Sequence, residues 1–238
     1  MTPTRRELST RAADCLKLIY KLRERGERAT TSQIRERLQA LEASGQLSDA
    51  SVTQLFKSLA EQGLVEHTPY RGAALTAEGE QIAAELIRHH RLLELYLVKE
   101  LGYRWDEVDE EAERLEHAIS EHFEDRLDAL LGHPTADPHG DPIPDRAGAV
   151  QAPPTRPLSE LGERQAAVVR RVSDDDPARL RYLARLDLVP GTAVHVLERA
   201  PFGGLMQVLV GADATAQVRT IGLELAATVQ VELAGADH

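Results

Sequence analysis

Cysteine, aromatic residues and long apolar runs are all scarce in this chain, and each scarcity excludes a class of protein. The single cysteine, Cys15, rules out an internal disulfide framework and makes a reducing compartment the expectation. Aromatics make up 4% of the residues against 42% hydrophobic, so aliphatic side chains must fill the core. No apolar run approaches the roughly eighteen residues that a membrane span requires. The first residues, MTPTRRELSTRAADC, lack the apolar stretch of a secretory signal. A cytoplasmic protein is expected, and 238 residues leave room for two or three small domains.

Positive charge is also in deficit, with 28 Lys and Arg against 39 Asp and Glu, a net charge of −11. The deficit is uneven. Residues 1–75 hold 12 basic and 9 acidic side chains, a net +3, whereas the remainder holds 16 and 30, a net −14. A mildly basic front can bind phosphate locally, because screening limits the reach of distant charge. The acidic body admits two readings, plain solubility or the holding of cations.

No internal repeat is present. Apolar spacing predicts a helix over Ala12–Leu22, a second from Gln33 to about Leu41 capped at Thr31-Ser32, and a third opened by Asp49 or Ser51. The stretch from Glu42 to Ser48 reads as a loop. Val52, Leu55, Phe56 and Leu59 form the apolar stripe of the third helix, and Gly63 ends it. A strand pair follows around Tyr70-Arg71-Gly72. Ala77 to about Gly102 reads as a long helix that buries Ile82, Leu86, Leu93 and Leu97. Another helix lies within Trp105–Leu131, where acidic residues crowd. Pro134–Pro157 is rich in Pro and Gly and reads as loop or linker. Beyond it, alternating strands with one helix near Ala178–Leu186 suggest a small β-barrel.

Helix, helix, helix and hairpin in this order make a winged helix, whose third helix enters the DNA major groove while the hairpin tip touches the flanking backbone. Ser51, Thr53, Gln54, Lys57 and Ser58 form the polar face of that third helix. The amide of Gln54 suits bidentate pairing with adenine. Ser51, Thr53 and Lys57 suit phosphates, as does Arg71 at the hairpin tip. Solvated helix positions are the alternative reading of Gln54 and Ser58.

A second constellation is rich in ligand types. Glu113, Glu116 and His117 stand at i, i+3 and i+4, and so share a helical face. His90 and Glu94 are four apart on the long helix, and Asp14 lies on the first. If these helices meet, carboxylates and imidazoles converge with room for two ions such as Mn²⁺, Fe²⁺ or Zn²⁺. A solvated acidic face and an interfacial histidine are the plainer readings of the same residues.

From Asp14 to about Pro144 the chain resembles the iron- and manganese-dependent repressors typified by the diphtheria toxin repressor and the manganese transport regulator. The resemblance is carried by AADCLKLIYKL, SVTQLFKSLAEQGLVEH, LTAEGEQIA, RHHRLLELYL, DEEAERLEHAISEHFEDRL and HPTADPHGDPIP. It implies a mainly α fold with a small β part. A winged helix-turn-helix domain would occupy residues 1–76, a helical metal-binding and dimerisation domain 77–145, a linker 146–160 and an SH3-like barrel 161–238. The resemblance also implies His90, Glu94, Glu113, Glu116, His117 and Asp14 as metal ligands. Iron-type members have Met and Cys where this chain has Asp14 and Glu113, so a manganese-type ligand set is implied. Asp109 replaces a histidine of the iron type, and Lys17 a glutamate of the manganese type. The segment DPARLRYLARLDLVPGTAVHVLERAPFGG resembles the SH3-like domain of iron-type members, from which Asp176 is a further candidate ligand. Cys15, one residue off the ligand register, is expected in the core.

The expected function follows: a metal-dependent regulator, most simply a repressor of metal-uptake genes. It would bind an inverted-repeat operator in double-stranded DNA as a homodimer charged with Mn²⁺ (alternatively Fe²⁺), with two sites per chain. A metal-independent winged-helix regulator with an organic effector is one alternative. A binuclear metalloenzyme is another, but paired Glu-x-x-His motifs, His-Glu-x-x-His, a Walker loop and a nucleophile elbow are all missing, and no enzymatic activity is expected.

Overall fold

The computed structural model describes residues 7–41, 46–173 and 176–234, so part of the expected 42–48 loop lies outside the described residues. The described chain forms two compact units. One gathers the residues up to 90 with 116–119 and 144–150; the other holds 91–115, 120–143 and 151 onward.

The first unit opens with α1 (Thr10–Glu24), α2 (Thr31–Leu41) and α3 (Asp49–Glu61), then the hairpin strands β1 (Val65–Thr68) and β2 (Gly72–Leu75). Each helix starts where a small polar side chain satisfies a free backbone N–H. The Oγ of Ser9 accepts from Ala12 N at 3.3 Å. At α2 the cap is Thr30, one residue earlier than expected, and Gln33 answers it: Thr30 N donates to Gln33 Oε1 at 3.3 Å and Gln33 N to Thr30 Oγ1 at 3.4 Å. Ser48 caps α3 by accepting from Ser51 N at 3.1 Å, which places the helix start at Asp49. Leu16, Ile19, Ile34, Leu38, Val52, Phe56 and Leu59 meet in one aliphatic core with Leu86 and Ile87 of α4 (Ala77–Lys99). Cys15 belongs to that core with no exposed surface, and burial followed by the charge of Asp14 pushes its thiol above the ordinary range. It is packing, not chemistry.

In the second unit the expected single helix is two. The chain forms α5 (Val108–Leu115), turns, and restarts as α6 (Glu121–Leu130), because Ser120 caps the second segment by accepting from Phe123 N at 3.2 Å. A six-stranded antiparallel sheet follows, formed by β3 (Arg156–Pro157), β4 (Ala166–Val172), β5 (Ala193–Arg199), β6 (Leu205–Val210), β7 (Gln217–Gly222) and β8 (Val229–Leu233), in the order β3-β8-β4-β5-β6-β7. Short helices α7 (Pro177–Arg185) and α8 (Leu223–Ala227) accompany it. Strand alternation buries Val169, Val194, Val196, Met206, Val208 and Val231 in a separate core, against which Trp105 packs. Register shifts at Val169/Arg171 and Val196/Glu198 bend the strands, the usual means by which a small sheet curls.

Candidate metal centres and DNA-facing surface

In the first unit α1 presents Asp14 and Lys17 on one face, three residues apart, to the turn that follows α5. Ligand atoms of Asp14, Glu116 and His117 lie within 4.8 Å of one another. Asp14 Oδ1 and His117 Nε2 stand 2.8 Å apart as an ion pair, and both atoms are buried. A carboxylate oxygen and an imidazole nitrogen held this close are two donor atoms of the kind a divalent first-row ion takes. Asp14 holds the His117 imidazole more basic than usual; burial opposes this and Glu116 adds to it.

Glu116 is fully buried and doubly held. Its Oε1 accepts from Lys17 Nζ at 2.5 Å, and its Oε2 lies 2.6 Å from His90 Nδ1. Burial alone would raise its pKa, but the charges of Lys17 and His90 outweigh that and hold it at about 2. Glu116 is therefore a fixed carboxylate. Glu116 and His117 sit in the turn just past the last residue of α5, not within the helix as their spacing suggests. Glu113, half-buried, stands one turn upstream near the end of α5.

The second unit holds another group. Glu94 of α4 meets Asp137 and His139 from the loop after α6; all three are buried, with ligand atoms within 4.8 Å of one another. His139 Nε2 donates to the carbonyl of Trp105 at 2.7 Å, and the two rings stack at 5.6 Å. That bond makes Nε2 a donor, and Nδ1 lies 3.8 Å from Glu94 Oε1 and lacks a hydrogen-bond partner. An imidazole whose far nitrogen is anchored to a carbonyl has the orientation usual for a histidine ligand. The loop is stiff: Asp137 Oδ1 accepts from His139 N and Asp141 N, and Arg91 donates to Pro142 O at 2.6 Å. Gly140 packs so closely on β4 that a Cβ there would lie 1.8 Å from Arg170 O.

Asp137 and His139 escaped the sequence reading because a loop has no periodicity to mark them. The Asp-Pro-His string was the available signal. His90 turns its Nδ1 to Glu116, and Asp176 caps α7, with Oδ1 accepting from Ala178 N at 2.8 Å and Arg179 N at 3.3 Å. An Asp before a Pro at a helix start is itself a capping signature. Both centres combine carboxylates with imidazole and have no sulfur, a donor set that fits a divalent first-row ion.

Elsewhere in the first unit, Ser51, Gln54 and Lys57 of α3 are exposed and Thr53 half-exposed, opposite the buried Val52, Phe56 and Leu59. Thr53 Oγ1 donates back to Asp49 O at 2.8 Å, and Ser51 shares a hydrogen bond with the capping Ser48. Phe56 packs against His67 of β1, ring centroids 5.5 Å apart, which ties α3 to the hairpin. Arg71 is exposed at the hairpin tip. A helix with a polar outer face beside a short hairpin is the winged-helix arrangement.

Family models described as the iron dependent repressor N-terminal DNA binding domain, the iron dependent repressor metal binding and dimerisation domain, and the FeoA domain match residues 7–73, 76–145 and 156–233. The iron-dependent repressor IdeR of Mycobacterium leprae is 34% identical over 230 residues, 91% of this chain and 94% of that one. The chain belongs to the iron-dependent repressor family. The diphtheria toxin repressor of Corynebacterium diphtheriae is 30% identical over 194 residues, 77% of this chain and 83% of that one. Among solved structures, a manganese-dependent transcriptional repressor in complex with manganese matches with a TM-score of 0.83 and 39% identity, covering 94% of this chain and all of the other. ScaR with bound Cd²⁺ matches at 0.73 and 32%, covering 93% and 98%. Members of this family are metal-dependent transcriptional repressors, not enzymes. Among the described residues, no helix is long and apolar enough to cross a membrane.

Proposed function

We propose that this chain is a cytoplasmic, manganese-responsive repressor that binds an inverted-repeat operator as a homodimer. The observation that carries the reading is Asp14 Oδ1 at 2.8 Å from His117 Nε2, because Asp14 lies on the first helix of the DNA-binding domain. Asp14, Glu113, Glu116 and His117 are the ligands of the first ion. Glu94, Asp137 and His139 hold a second, with His90 between the two sets on α4. Asp176 caps α7, and ligand duty there falls to the loop.

A bound divalent ion supplies the positive charge that draws these oxygens and nitrogens together. Asp14 then ties α1 to the 116–117 turn, which fixes the helical unit carrying α3. Gln54 reads a base, Ser51, Thr53 and Lys57 hold phosphates, and Arg71 does so from the wing. The functional modules are the DNA-binding residues 1–76, the metal-binding and dimerisation residues 77–145, a linker at 146–160 and the SH3-like residues 161–238, divisions that the three family-model spans support.

Manganese is favoured over iron because Asp14 and Glu113 offer hard oxygen where the iron-type pattern has sulfur. Carboxylates bind through one or both oxygens and so accept the high coordination numbers of Mn²⁺, which cannot be selected on affinity alone. The test is a titration of metal-stripped protein with Mn²⁺, Fe²⁺ and Zn²⁺ at buffered free concentrations. The readout is binding to a duplex enriched from a random pool by the Mn²⁺-loaded protein. Activation by Mn²⁺ is expected; binding indifferent to all three ions would overturn the proposal.

A further inference from the structure

We infer that Tyr70, at the tip of the β1–β2 wing, is a DNA contact whose ring packs on the sugar wall of the minor groove beside the major groove entered by α3. The inference rests on the DNA-binding reading and adds to it a residue that the sequence analysis named only as part of the hairpin turn.

The wing is anchored at its base and costly at its tip. Ala73 N donates to Ala29 O at 3.0 Å, bridging the hairpin to the α1–α2 connection. Gly72, with a φ of 90°, packs so tightly there that a Cβ would stand 2.1 Å from Ala29 O. Arg71 N donates to Thr68 O at 3.0 Å and closes the turn. Between these fixed points Tyr70 holds a φ of 64°, in the left-handed region that glycine or asparagine occupies cheaply and a bulky side chain does not. Its side chain is fully exposed, at 107% relative accessibility. The backbone thus bears strain, and water bears an aromatic ring, with no packing gained inside the fold. Strain that surrounding structure enforces is characteristic of functional positions.

Chemistry selects the partner. The phenol has no guanidinium fork to pair with a phosphate as Arg71 does; its hydroxyl offers a single hydrogen bond, and most of its surface is an apolar ring. Its apolar face matches the sugar-lined minor groove, where apolar side chains commonly dock and a neighbouring Arg is drawn by the narrow-groove potential. Because β1 packs on α3, the wing tip is held at a set distance from the recognition helix, as minor-groove contact by a wing requires.

The experiment compares Tyr70→Gly and Tyr70→Phe with the wild type, each as full Mn²⁺-loaded chain on the duplex enriched by the wild type. Tyr70→Gly should bind about tenfold more weakly. The slope of log affinity against log salt should not change, since no ion pair is lost. Its melting temperature should be no lower than wild type, because glycine relieves the left-handed strain. Tyr70→Phe should bind as wild type does. Hydroxyl-radical footprints of Tyr70→Gly should lose the protected sugars flanking the α3 contacts. Wild-type affinity in Tyr70→Gly would overturn the inference, as would equal losses in the Phe and Gly variants, which would assign the contact to the hydroxyl. Failure of the wild type to enrich any duplex would overturn the DNA-binding reading itself, and the inference with it.

Discussion

Lys17 Nζ lies 2.5 Å from Glu116 Oε1, with the two side chains 2% and 0% exposed. Glu116 stays ionised at this depth because Lys17 and His90 flank it. From α1, Lys17 therefore helps to hold the proposed ligand Glu116 as a carboxylate.

Removing that lysine should be costly in metal-free protein. Lys17→Met removes one of the two charged partners of a buried carboxylate, a loss of up to about 3–5 kcal/mol. Mn²⁺ replaces part of the missing charge, so the melting temperature should fall sharply in chelator and recover in Mn²⁺. Equal losses in both conditions would contradict this role.

The acid limb of stability carries the same signature. A carboxyl whose folded pKa is lowered contributes stability that is present above its unfolded pKa and lost as pH falls through the folded one. For Glu116 the loss begins in the ordinary carboxylate range and is nearly complete by about pH 2. Denaturant titrations of metal-free protein should show stability falling through that whole window, whereas in Lys17→Met the fall should end at a distinctly higher pH.

Metal affinity should depend on pH in the opposite sense to His117 protonation. A raised imidazole pKa lets protons compete with the ion at higher pH than an ordinary histidine permits. Below that pKa, apparent Mn²⁺ affinity at the first site should fall roughly tenfold per pH unit. In the metal-free protein the sign reverses: the stability that His117 contributes is present at low pH and is lost as pH rises through its raised pKa. Calorimetric titration across pH 5–8 checks the first statement, and a pH-independent affinity would refute it.

Much of this was legible in the chain. Val52, Phe56 and Leu59 recur at helical spacing and mark α3, and Asp14, Glu116 and His117, singled out by the family resemblance, have ligand atoms within 4.8 Å of one another. Boundaries were less legible, since Ser48 caps α3 and Ser120 splits the expected long helix through single hydrogen bonds that no periodicity announces. Asp137 and His139 were missed for a different reason. Their positions depend on loop contacts with Trp105 and with Arg170 of β4, which are remote in sequence.

The two centres should separate by mutation. Asp137→Ala and His139→Ala should lower the number of Mn²⁺ ions bound per chain by one while leaving Asp14-dependent activation detectable. Asp176→Ala should leave metal stoichiometry intact and cost about 1 kcal/mol through the lost α7 cap. Equilibrium dialysis counts the ions; an ion lost with Asp176→Ala would return that residue to the ligand set.

The proposed coupling of metal to DNA assigns Glu116 and His117 the central part, and fluorescence anisotropy of the enriched duplex at one fixed salt concentration addresses it. Wild-type protein should bind up to about a hundredfold more tightly in Mn²⁺ than in chelator. In Glu116→Gln and His117→Ala that gain should vanish. Equal affinity of the wild type in Mn²⁺ and in chelator would contradict the reading of this chain as a metal-dependent repressor.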